Sequence, residues 1–195
     1  MGLRIGEIPE TGNEFLVTPV VAEKIFDAED LKKIADILET SPKRPCVIDG
    51  PAENYPDAKF TISFIPYIDE NAWLYGKIYD LALEGNEQTY KYENLEMFEH
   101  IVYMEFNEDD YLNMHVDIGN EFPHNSRKLT AVLNLSDSEN YRGGNFNIQA
   151  SQLVTASRVK GDCSFFPSYL QNEIAPVHNG TKKILVAWFG GESYK

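Results

Sequence analysis

Cysteine, histidine and positive charge are all scarce in this chain, and each scarcity narrows what it can do. Its 195 residues hold two cysteines, Cys46 and Cys163, far apart in sequence. That spacing gives neither a paired metal-ligand motif nor a disulfide framework. Neither thiol has a His or Lys beside it in sequence to activate it. Two reduced thiols in a cytoplasmic protein are expected. Lysine and arginine number 17 against 31 acidic residues, for a net charge of -14. Nucleic acid is held by clustered Lys and Arg, so no nucleic-acid partner is expected, and no anionic membrane surface either. Long apolar runs are missing: nothing approaches the roughly 18 residues of a membrane span. Met1-Gly2-Leu3-Arg4-Ile5 does not lead into the long apolar region of a secretory signal. What remains is an ordinary globular composition, 43% hydrophobic and 25% charged. The length suits one domain over 1–195 with a substantial core.

Two regimes follow one another along the chain. In residues 1–97, two supporting helices are expected. The first covers 27–40: Asp27 caps it with Asp30 three residues on, Leu31, Ile34, Ala35 and Leu38 share a face, and Pro42 ends it. The second covers 69–84, capped by Asp69 and stopped by Gly85-Asn86. Between them, 41–58 carries five Pro or Gly residues and reads as a loop, and 59–65 alternates as a strand. From residue 98 to 191 short β-prone runs dominate, at 100–106, 111–116, 128–135, 145–149, 152–156, 162–166, 172–177 and 182–189. Many short strands after two helices predict a mainly β fold, a barrel or double-sheet jelly roll with helices packed outside.

The chemistry concentrates in that second half. His115 and Asp117, one residue apart on a strand, project to the same face because strand side chains alternate with period two. An imidazole and a carboxylate so placed can hold one face of a non-haem Fe(II). A chance His-x-Asp is expected in roughly one such chain in four, so the pair needs support. Its alternative is a half-buried strand histidine bonded to Asp117.

Support comes from an ordered series. Phe64-Ile65-Pro66 through Trp73-Leu74 and Tyr103-Met104-Glu105-Phe106-Asn107 precede the pair. Arg127 through Leu135, Tyr141-Arg142-Gly143-Gly144-Asn145-Phe146, Gly161 through Ser168, and Gly180-Thr181-Lys182-Lys183 leading to Ala187-Trp188-Phe189 follow it. Over residues 59–191 this series resembles the prolyl-4-hydroxylase-like branch of the 2-oxoglutarate/Fe(II)-dependent oxygenases, especially small bacterial and phage members. The resemblance implies a double-stranded β-helix (jelly roll, cupin-like), Fe(II) and 2-oxoglutarate as cofactors, and a small-molecule or peptide substrate. It puts His115 and Asp117 on two iron ligands and Lys182 on the cation that holds the far carboxylate of 2-oxoglutarate. Thr130, Trp188 and Tyr103 fall among residues of the cosubstrate pocket. The Gly143-Gly144 turn reads as structural, answering a positive φ or a close approach.

Three positions depart from the pattern. Asn172 stands where the third ligand, a histidine, belongs. Leu112 replaces a tyrosine that bonds 2-oxoglutarate, and Asn145 replaces an acidic residue after the double glycine. An amide oxygen is a poorer donor to Fe(II) than imidazole. His178 lies six residues after Asn172, about 20 Å further along a strand at roughly 3.3 Å per residue, so only a bulge would bring it to the site. His124, in the polar loop before Arg127, could swing towards a metal at the barrel mouth, and His100 reads as structural. Two functions follow. One is a non-haem Fe(II)/2-oxoglutarate dioxygenase, a hydroxylase with Asn172 as an atypical metal position. The other is a catalytically impaired descendant retained as a binding or assembly module. Loops 41–58 and 118–126 are expected to frame the substrate mouth, while the substrate and the oligomeric state stay open.

Overall fold

The computed structural model describes residues 17–48 and 57–192. In chain order, β1 spans Val20–Ala22, α1 Ala28–Thr40, β2 Arg44–Ile48, β3 Ala58–Ile65 and α2 Ala72–Gln88. Then come β4 Ile101–Phe106, β5 Tyr111–His115, β6 Arg127–Asn134, β7 Tyr141–Gly143 and β8 Phe146–Gln149. β9 Leu153–Thr155, β10 Cys163–Pro167, β11 Gln171–Ile174, β12 Val177–Gly180 and β13 Lys182–Gly190 complete the set.

The first helix forms as its sequence dictates. The Asp27 side chain accepts from the amides of Glu29 and Asp30, and Asp30 bonds back to the amide of Asp27. This reciprocal pairing satisfies amides that the first helical turn leaves without partners. The second helix differs at both ends. Asp69 does not cap it: Asp69–Asn71 makes a 3-10 turn without a side-chain cap, and the helix runs past Gly85-Asn86 to Gln88. Asn86 does not break it because its amide side chain grips the loop beyond, bonding both the N–H and the C=O of Tyr92 at 2.8 Å. The expected loop 41–58 contains a strand, β2, despite Pro45. Among the described residues β2 pairs only with β3, and an edge strand tolerates a residue with no N–H to donate. Gly50, Pro51 and Pro56 of that reading lie outside the described residues.

The strands pair antiparallel in the order β1-β10-β6-β13-β4-β3-β5-β11-β8-β9, with β2 on β3, and β7 pairs separately with β12. The sheet curls into the expected mainly β jelly roll with two flanking helices. β3, from the N-terminal half of the chain, sits inside this order between β4 and β5.

Alternation along β6 and β13 separates two apolar layers. Leu129, Ala131 and Leu133 of β6, with Leu185, Ala187 and Phe189 of β13, pack under Ile34, Leu74 and Ile78 of the helices. Val132, Ile184, Val186 and Trp188 face the barrel interior with Val102, Met104, Phe146, Ile148 and Ile174. Burying each large apolar side chain contributes about 1.5–3 kcal/mol. A one-residue slip would invert both layers, so the register is strongly specified. Thr130 and Lys182 share the parity of the interior set, and that parity carries two polar groups into an apolar barrel.

Candidate active site

His115 ends β5, and Asp117 follows it two residues on. Their side chains share a face, with His115 Nε2 3.2 Å from Asp117 Oδ1. Two ligands at right angles on a small divalent ion, each about 2.1 Å away, stand about 3 Å apart, so the spacing suits one shared cation. His115 Nδ1 lies 2.9 Å from the carbonyl of Asn113. Donation there leaves Nε2 as the nitrogen that faces Asp117. Burial opposes the charged imidazole, yet the hydrogen bond and charge of Asp117 outweigh it, and the pKa of His115 is raised. Asp117 is buried, which disfavours its ionised form. The hydrogen bonds and charge around it prevail and hold its pKa below the usual carboxylate range.

Those bonds come mainly from β6. Thr130 Oγ1 donates to Asp117 Oδ2 at 2.6 Å and lies 3.0 Å from Ser168 Oγ. Arg127 Nη1 donates to the Asp117 carbonyl at 2.8 Å, its Nε and Nη2 grip Glu99, and its guanidinium lies 3.9 Å from the centre of the Trp188 ring. The buried Trp188 Nε1–H makes no hydrogen bond of ordinary geometry, although it lies close enough to Asp117 to favour the carboxylate.

Asn172 stands directly opposite His115 in the β11–β5 register, 3% exposed, where that register shifts between Asn172 and Ile174. Bulged ladders of this kind re-aim side chains at sites. Its Nδ2 reaches the Leu170 carbonyl only at 3.5 Å. Among the described residues no three His, Cys, Asp or Glu side chains converge.

Lys182 lies further along the interior face of β13, 1% exposed. Its Nζ is 3.3 Å from the Tyr141 hydroxyl and 5.1 Å from the centre of that ring. Among the described residues it forms no ion pair. Arg158, its guanidinium 4.3 Å from the centre of the same Tyr141 ring, donates to the Gly143 carbonyl and the Asn145 side chain. Burial, and then the charge of Arg158, lower the Lys182 pKa to about 7. Gly143 and Gly144 have φ of +70° and +59°; a Cβ on Gly143 would lie 2.3 Å from the Pro176 carbonyl, so Gly143 requires glycine, and the left-handed backbone favours it at Gly144.

The remaining candidates separate. Tyr103 does not join the site: it lies on the outer face of β4 under the helices, where its hydroxyl donates to Glu105 and Lys43 sits over its ring. Parity explains this, since Val102 and Met104 take the interior positions. Leu112 packs in the apolar barrel cluster. His178 is exposed on β12 against Gly143. His124 and His100 line a cavity of about 360 Å3 at the barrel mouth with Arg127 and Trp188. Sequence reasoning did not find Tyr141, Arg158 or Glu99. Tyr141 opens the double-glycine segment and could have been found there. The other two reach their partners across the fold without a motif.

Residues 100–190 match the family described as the 2OG-Fe(II) oxygenase superfamily. No curated protein sequence matches the chain. Among solved structures, it is similar to a 2OG-Fe(II) oxygenase family oxidoreductase from Burkholderia pseudomallei, with 13% identity, 90% of this chain and 86% of the other covered, and a TM-score of 0.70. It is similar to a Pseudomonas putida prolyl-4-hydroxylase, with 18% identity, 90% and 93% covered, and a TM-score of 0.64. A Trichoplax adhaerens prolyl hydroxylase in complex with a hypoxia inducible factor peptide fragment has 12% identity, 88% and 83% covered, and a TM-score of 0.63. Among the described residues no helix is long and apolar enough to cross a membrane. The match over residues 100–190 is to the 2OG-Fe(II) oxygenase superfamily, and across about nine tenths of the chain the fold is similar to that of prolyl hydroxylases.

Proposed function

We propose that the chain is an Fe(II)/2-oxoglutarate-dependent oxygenase that hydroxylates its substrate. One observation carries the reading: Lys182, a buried amine without an anionic partner among the described residues, shares the barrel interior with the ordered His115–Asp117 pair. An unpaired buried cation is unfavourable and invites a carboxylate. The residues present fit both groups. His115 Nε2 and Asp117 would hold the metal, with the Asn172 amide as a weaker third donor. Lys182 would hold the far carboxylate of 2-oxoglutarate. Tyr141, whose hydroxyl can accept from Lys182 and donate its own proton, would replace the hydroxyl that Leu112 lacks. When bound, the iron supplies oxidation of a C–H bond, with 2-oxoglutarate and O2 consumed to give succinate and CO2.

The chain's own work is placement. Thr130 and the Arg127–Glu99 pair fix Asp117 from two sides, so the carboxylate is ordered before any ligand arrives. Trp188 and the apolar barrel residues exclude water around it. The test is succinate formed from 2-oxoglutarate with Fe(II) and air. Turnover clearly above that of His115→Ala is expected, and equal rates would remove the reading.

Asn172 motivates a second reading, a descendant with a weakened metal centre that serves as a binding module. It expects 2-oxoglutarate to bind at Lys182 while Fe(II) does not bind stoichiometrically. Micromolar Fe(II) affinity by calorimetry would remove it.

A further inference from the structure

We propose that the pocket between α2 and residues 96–100 is a docking subsite for a cationic side chain, lysine or arginine, of an extended polypeptide substrate. This pocket, about 420 Å3, is lined by Tyr67, Tyr75, Gly76, Tyr79, Glu96 and the 97–100 segment. It shares Phe98, Glu99 and His100 with the mouth cavity that holds Arg127 and Trp188. The two cavities therefore lie side by side along one wall. A substrate confined to a single residue would fill the mouth and leave the second pocket without a use. A chain substrate crosses from one to the other. The inference rests on the oxygenase reading, which puts the reaction at Asp117, whose carbonyl is held by Arg127 of the mouth cavity.

The lining selects the charge. The hydroxyls of Tyr75 and Tyr79 donate to the carbonyls of Ile65 and Leu95, which leaves their rings to form the pocket wall. Tyr67, 67% exposed, stands edge-on to Tyr75 with ring centres 5.0 Å apart. Rings of this kind attract a cation through their electron-rich faces. Glu96 adds a carboxylate that makes no ion pair among the described residues, whereas Glu99 is already held by Arg127. The net charge of -14 would steer a basic segment towards the protein.

Gly76 is the second observation. It lies within α2, where glycine is disfavoured relative to alanine. A Cβ built there meets nothing within 4 Å, so packing does not require its absence. What the missing side chain provides is open space in the pocket wall. The exposed aromatic residues continue past it: Phe98 and Phe122 lie with ring centres 5.4 Å apart, and Phe64 lines the mouth beside them.

The test uses three fluorescein-labelled nonapeptides in which alanine alternates with lysine, glutamate or norleucine, titrated into the full chain and followed by anisotropy. The lysine peptide is expected to bind, and the other two to bind at least tenfold more weakly, as charge complementarity requires. Gly76→Leu fills the pocket without changing charge, and Glu96→Gln removes one exposed carboxylate. Each is expected to lose about three- to tenfold in lysine-peptide affinity, the scale of one cation–π or ion-pair contact. Both should leave 2-oxoglutarate affinity unchanged. Equal binding of the lysine and norleucine peptides, no binding of any peptide, or unchanged affinity in both variants would overturn the subsite. Lys182→Met should bind the lysine peptide like the parent. Absence of turnover in the parent protein with this peptide pattern intact would therefore defeat the oxygenase reading and not the subsite.

Discussion

Asp117 and Lys182 are both buried in the same barrel, and their surroundings could hardly differ more. Asp117 receives Thr130 on one oxygen and His115 on the other, while Arg127 holds its carbonyl. Lys182 has the Tyr141 hydroxyl at 3.3 Å and a nearby guanidinium that repels it. The carboxylate is built to stay charged, and its pKa is lowered. The amine holds its proton weakly, with its pKa lowered to about 7, until an anion arrives. An enclosed charge that neighbours have fully bonded positions a ligand. One that neighbours have left short creates demand for a ligand.

That contrast breaks most readily at the amine. Lys182→Met should weaken 2-oxoglutarate binding by about 10- to 100-fold, the worth of a charge-assisted hydrogen bond in a buried setting. The same change should raise the thermal stability of the ligand-free protein by about 1–3 kcal/mol, because an apolar group of similar length replaces a buried polar one. Calorimetry and thermal unfolding check the pair of effects, and a loss of stability would mean that Lys182 already has its partner. Asn172→His should sharpen the carboxylate side, raising Fe(II) or Co(II) affinity at least tenfold as imidazole replaces an amide opposite His115. Metal titration followed by absorbance would show it.

Smaller effects probe the bonding itself. Thr130→Val keeps the shape but leaves Asp117 without one donor, and it should cost about 1–2 kcal/mol in chemical denaturation. The pH dependence of binding is the finest probe. In the free protein Lys182 has a pKa of about 7, below its ordinary value of 10.5. Its folded pKa is depressed, so unfolding binds a proton between those values and the penalty of burying the cation is relieved as pH rises through that window. Carboxylate binding favours the ammonium form. At pH 8, 2-oxoglutarate should therefore take up close to one proton, and its affinity should fall as pH rises above 7. Calorimetry in two buffers of different ionisation enthalpy measures that uptake directly.

Period-two alternation makes much of this architecture legible in the sequence. It put His115 and Asp117 on one face, and β6 and β13 fell within a residue of their expected limits. Asp27 and Asp30 announced the start of α1 through their own side-chain chemistry. β2 was hidden because Pro45 signals a break unless the strand is known to be an edge, and edges are a property of the sheet. The end of α2 was hidden because the role of Asn86 depends on where Tyr92 returns. Tyr103, which the resemblance puts among the cosubstrate-pocket residues, packs on the helix side of β4, and sequence order does not say which parity faces inward. Glu99 and Arg127, 28 residues apart, meet only through the fold.

β6 and β13 present helix-packed side chains on one surface and the metal and cosubstrate candidates on the other. These two ribbons form a party wall. A methyl group trimmed from Ile78 or Leu129 would act on the far room through the plaster, shifting Thr130 by backbone adjustment alone. Kinetic constants measured for substitutions beneath the helices will therefore report on wall rigidity as well as on foldedness, and the two need separate readouts.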